Sequence, residues 1–197
     1  MKKMMMKRRW SLVCLLLLFL GGQVAAQEEV VTYLNVSEPV ISQMQSNIRD
    51  FLNEVQPLRE QKDIAGVKKV ADKYILIWDD QLDKLAQITP PAEAETHYQA
   101  LKRLLELQRE SNQIMSETLA QRLVLLMQIQ KMQNEGATED EIKEFLATNT
   151  PDKASLLERA TAVSTATKEA DQTLKEEHQR LRSMVPDETE GDTDQEG

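Results

Sequence analysis

The chain has 197 residues, 24 Lys and Arg against 33 Asp and Glu, and a formal charge of −9. That acidity argues against a nucleic-acid partner and against an anionic membrane surface, since both need clustered positive charge. One cysteine, Cys14, and six glycines leave little basis for a disulfide framework or glycine-rich phosphate loops.

The first 26 residues have the order of an export signal. Lys2, Lys3, Lys7, Arg8 and Arg9 form a basic head, Trp10 to Leu20 an apolar run, and Val24-Ala25-Ala26 a small-residue site for cleavage after Ala26. The apolar run is too short to span a bilayer comfortably. Val13 precedes Cys14 where lipid attachment wants a small residue, so cleavage is the expected processing. Removing 1–26 takes away five basic and no acidic residues, leaving 19 against 33 and a mature charge of −14. The mature chain then has no thiol, and its compartment is the bacterial periplasm or the medium.

Residues 27–36 read as a flexible lead-in. The spacing predicts an all-α, elongated up-down bundle over 37–186, with three to four long antiparallel helices and one short one. Ser37 is placed to cap a first helix carrying Val40, Ile41, Met44, Ile48, Phe51, Leu52 and Val55, and Pro57 is expected to end or kink it. Asp63 caps a second helix with Val67, Ala71, Tyr74, Trp78, Leu82 and Leu85 on its stripe. Thr89-Pro90-Pro91 then stops that helix and starts the third, and so short a connection requires the two to lie antiparallel.

The third helix keeps apolar spacing from Ala94 to Met132 and stops at Gly136. It is a rod of roughly 65 Å. Thr138 with Glu141 forms a capping box for a short helix through Phe145 and Leu146. Thr150-Pro151 opens the last helix, whose middle carries small side chains from Ala160 to Ala170. After Pro186 the acidic stretch 187–197 reads as a disordered tail.

Two residue sets stand out. Up-down connectivity places Met44, His97 and His178 each roughly 10 Å in from one end of the bundle, in a layer with Trp78 and Tyr98. Imidazole and thioether are haem ligands and suit soft metals. Met44 near the start of the first helix, His178 near the end of the last, and the Thr-Pro-Pro turn resemble the soluble b-type haem cytochromes of the bacterial periplasm. That resemblance implies a haem- or metal-binding carrier, although the third helix here is far longer. No Cys-x-x-Cys-His is present, and Ala94 and Lys175 stand where a di-iron bundle would have glutamates. The second set is Leu119, Leu123, Leu126 and Ile129, on the part of the third helix that outreaches the second. Paired acids such as Glu176-Glu177 fit solvated helix faces, and no catalytic set is assigned. The main expectation is thus an exported, cofactor-free, non-enzymatic binding or scaffold module, with a protein partner or a second copy on the third helix.

Overall fold

The computed structural model describes the backbone of residues 2–149 and 153–185, and the side chains of 26–149 and 154–185. It is an all-helical bundle: α1 (Lys2–Glu60), α2 (Ile64–Leu85), a short 3-10 turn (Ala92–Ala94), α3 (Glu95–Asn134), α4 (Glu139–Asn149) and α5 (Lys153–Met184). Of the expected three to four long helices and one short one, the described residues form four long and one short. Thr150-Pro151 and the 187–197 tail lie outside the described residues.

Cross-helix pairs fix the up-down order. Lys73 of α2 pairs with Glu54 of α1 at 2.6 Å, and Arg109 of α3 pairs with Asp79 of α2 at 2.5 Å. Ser116, further along α3, donates to Asp72, further back on α2. His97 and Glu117 of α3 meet His178 and Arg159 of α5 in the same descending order. α3 is therefore the spine, with α2 on one side and α5 on the other. Its central side chains Leu101, Leu104, Leu105 and Leu107 are buried together with Met44, Tyr74, Trp78, Leu85 and Leu174. Phe51 meets Tyr74 edge-on, with ring centroids 5.1 Å apart, and ties α1 into this core.

The start of the bundle differs from expectation. Residues 27–36 belong to α1 and are not a loose lead-in: Val30, Tyr33 and Leu34 are buried against Ala94 and Leu181. Ser37 does not cap the helix. It is buried inside it and donates to the Leu34 carbonyl at 3.3 Å. Val30, Tyr33, Leu34, Ser37, Ile41 and Met44 continue one stripe at helical spacing, so hydrophobic burial overrides the local cap and proline signals. Two prolines, Pro39 and Pro57, sit inside α1. Each deprives the carbonyl four residues earlier of its partner, but Asn35 and Asn53 lie on the same exposed faces as the prolines. Water can therefore replace the lost bonds.

α1 ends three residues after Pro57, at a Schellman turn. The Asp63 amide bonds the Leu58 carbonyl at 2.8 Å and the Lys62 amide the Arg59 carbonyl at 3.0 Å. Lys62 occupies the left-handed position with φ 58°, usually taken by glycine because a Cβ crowds the backbone there. Asp63 then serves a second purpose, its carboxylate accepting from the Gly66 amide at 2.8 Å as the N-cap of α2. α3 ends in the same way: the Ala137 amide bonds the Met132 carbonyl, with Gly136 at φ 83°. The capping box forms as expected, with the Thr138 amide donating to Glu141 at 2.7 Å and the Glu141 amide to the Thr138 hydroxyl at 3.4 Å. The small-residue face of α5 is thin and weakly covered. Ala160, Ala162 and Ser164 are exposed, and only Val163 and Ala170 are buried there.

The turn between α1 and α2 yields opposite mutational signs. Lys62→Gly is expected to stabilise by about 0.5–1 kcal/mol, the relief of left-handed strain less glycine's extra entropy in the unfolded chain. Asp63→Ala is expected to destabilise by about 1 kcal/mol. Urea denaturation of the two variants checks both signs.

Candidate functional site

At the Glu38 end of the bundle, three helices bring polar side chains into one line. α1 supplies Tyr33 and Glu38, α3 supplies His97, and α5 supplies His178 and Arg182. The Tyr33 hydroxyl lies 2.8 Å from His97 Nδ1, and His97 Nε2 lies 3.3 Å from His178 Nδ1. His178 Nε2 faces the Glu38 carboxylate at 3.9 Å, and Arg182 is hydrogen-bonded to the same oxygen. The Tyr33 ring meets His97 edge-on, and the two imidazole planes are tilted 34° to one another with centroids 5.5 Å apart.

One direction of donation satisfies every member. Tyr33 donates to His97 Nδ1, which leaves the His97 proton on Nε2 to donate to His178 Nδ1. The remaining His178 N–H then points at Glu38. The reverse order would aim an imidazole lone pair at a carboxylate. Burial raises the Tyr33 pKa above its usual value, so the phenol keeps its proton and remains a donor. His97 is 0 % exposed, and burial, followed by the neighbouring His178 ring and Arg180, pushes its pKa down to about 4 against the opposing pull of Glu177. His97 is thus a neutral, fully bonded core histidine at pH 7.

The expected layer is only partly assembled. His97 and His178 meet. Met44 is buried and lines a groove with His178, which His97 does not reach. Trp78 belongs to the central core, and Tyr98 packs against the core and the terminal cluster together. Both ring nitrogens of His97 are committed to protein partners, which leaves it no lone pair for a metal or haem iron. Among the described residues no cluster of three His, Cys, Asp or Glu side chains is placed to hold a metal ion.

The second candidate lies at the other end of α3. α2 begins beside Met115 and Leu119, which line a groove with Leu58, Ile64 and Val67. Leu119 is therefore partly covered by the turn between α1 and α2. Beyond Arg122 only α4 and α5 accompany α3. Leu123 and Ile129 are half-buried there, while Leu126 is 45 %, Val124 47 % and Met127 61 % exposed. Leu157, on the facing stretch of α5, is 69 % exposed.

Tyr33, Glu38 and Arg182 were not legible as site residues, because the helical period of Val30 to Met44 was interrupted by an apparent cap at Ser37. Comparison with known proteins finds no matching family model, curated protein or solved structure.

The buried His97 has a stability signature. Its folded pKa of about 4 lies below the ordinary imidazole value of 6.5, so the unfolded chain takes the proton first. The stabilisation is present above pH 6.5 and is lost as pH falls toward 4, by about 3 kcal/mol at roughly 1.4 kcal/mol per unit. His178, Glu177, Arg180, Glu38, Arg182, Tyr98 and Glu95 surround the pair, and all remain in the control. His97→Gln is expected to flatten the dependence in this window, as read by urea denaturation from pH 7 to 4.

Proposed function

We propose that this chain is exported and acts without catalysis, as a binding module that docks an apolar helix on the free arm formed by α3, α4 and α5. The observation that carries this reading is the stretch from Leu123 to Ile129. Leu123, Val124, Leu125, Leu126, Met127 and Ile129 occupy every side of α3, and a helix apolar all round calls for cover on every side. α4 and α5 cover part of it. Val124, Leu126 and Met127 stay open to solvent on an arm that projects past α2. Single exposed apolar residues are ordinary, but three within about one turn of a protruding rod mark an interaction site.

A second copy of the chain can supply the partner helix. The acidic first turn of α4, Glu139, Asp140 and Glu141, lies next to the apolar arm and disfavours an anionic lipid surface. Among the described residues no helix is long and apolar enough to cross a membrane. Export rests on the basic, apolar and small-residue order of residues 1–26.

The carrier reading keeps Met44 and His178 on one groove but loses His97. A Soret band on addition of haem, abolished by His178→Ala, is the result that would restore it.

Two measurements test the proposal. Expressed with its own N-terminus in a bacterium, the protein is expected outside the cytoplasm, beginning at Gln27 by mass spectrometry. Full-length mass in the cytoplasm overturns export. In sedimentation equilibrium the protein is expected to self-associate with rising concentration, and Leu126→Glu with Met127→Glu is expected to weaken association at least tenfold with helicity retained. A monomer throughout, indistinguishable from that variant, overturns the docking arm.

A further inference from the structure

α1 and α5 meet at the Glu38 end, where Glu38 binds Arg182 and faces His178. Away from that end a groove of about 450 Å³ runs between them. Leu104 of α3 lines it, with Ile41, Met44 and Ile48 on the α1 side and Leu174 on the α5 side. The remaining α5 rim is polar, with Lys168, Asp171, Lys175, His178 and Gln179. Asp171 and Lys175 neutralise one another in a 2.5 Å pair. Lys168 makes no ion pair with the described residues, and Gln108 and Thr167 stand beside it on the lining. A second groove of about 330 Å³, lined by Ile114, Val163 and Ala160, shares Gln108, Thr167 and Lys168 with the first. An uncompensated cation therefore stands over an apolar channel in a chain of net charge −9.

Size and charge select the kind of occupant. From Thr167 to His178 the α5 wall runs about 16 Å at 1.5 Å per residue, the reach of a single extended acyl chain. A volume of about 450 Å³ falls in the range of small-molecule sites, about 300–1,000 Å³, which commonly combine an apolar lining with one placed charge. We infer that the α1–α5 groove binds a long-chain fatty acid, with its carboxylate on Lys168 and its chain along Met44, Leu104 and Leu174.

Isothermal titration of the purified protein with laurate, below its micellar range, tests this. One saturable site is expected, with octanoate at least about tenfold weaker for its four missing methylenes. Lys168→Glu is expected to weaken laurate at least fivefold and to favour dodecyltrimethylammonium, a cationic chain of equal length. Ile41→Trp, which fills the groove from its edge, is expected to abolish binding. No laurate site, or equal binding of laurate and dodecyltrimethylammonium, overturns the inference. So does laurate binding unaffected by Lys168→Glu, an exposed change that leaves the core intact. A change in oligomeric state on Ile41→Trp would assign the groove to a second copy and also overturn it. These outcomes do not depend on the docking arm, which the sedimentation experiment addresses at Leu126 and Met127.

Discussion

The length mismatch between α3 and its neighbours is the constraint on which the rest of the bundle depends. Forty residues of α3 run about 60 Å, whereas the 22 of α2 run about 33 Å. Along its first half α3 is enclosed by α1, α2 and α5, and its leucines at 101, 104, 105 and 107 are buried. Beyond Arg122 only α4 and α5 remain to cover it. The same helix thereby supplies both the core and the open apolar arm. The Schellman turn at Lys62 matters for this reason. By ending α1 and starting α2 within three residues, it sets the level at which cover of α3 stops.

A second consequence concerns where α1 and α5 touch. They sit on different sides of the spine and come together at one end, through Glu38, Arg182 and the two histidines. That contact is polar and directional, and each of its members depends on the next for a donor or an acceptor. Its buried members, Tyr33 and His97, add little net stability when satisfied but cost a good deal when one is removed, whereas Glu38 and Arg182 meet at the surface. They act as a clasp that fixes the register of α1 against α5. Between the clasp and the far end the two helices are spaced apart, and the groove with Lys168 occupies the gap.

The charge distribution separates these regions. Most ion pairs are exposed i to i+4 or i to i+3 pairs within one helix, such as Lys68 with Asp72 and Lys143 with Asp140, and each contributes a few tenths of a kcal/mol. The pairs that join helices, Glu38 with Arg182, Lys73 with Glu54, Arg109 with Asp79 and Arg159 with Glu117, are few but mark the register of each neighbour. Glu54 and Asp72 each hold their carboxyl below the usual range, through hydrogen bonds from Lys73 and Lys68 respectively. Their contribution begins to be lost only as pH falls through 4.5 and 3.8, so the upper part of the His97 window is free of theirs.

The all-helical class, four long helices and a short one, the cap at Asp63, the Thr138–Glu141 box and the stop at Gly136 were all legible in the residues. Each depends on spacing or on a side chain reaching its own backbone three residues away, and such interactions need no knowledge of distant parts of the chain. The start of the bundle was not legible. Ser37 and Pro39 have the local chemistry of a helix start, and only the burial of Val30, Tyr33 and Leu34 against Ala94 and Leu181 shows that the helix runs through them. His97 and His178 could be placed at the same level by counting residues from the helix ends. Counting could not reveal that the rings bond one another and exclude Met44, because side-chain direction around a helix axis is set by the neighbours it packs on. Local periodicity therefore determined the elements, while the order of burial between helices decided the clasp, the groove and the length of α3 left open.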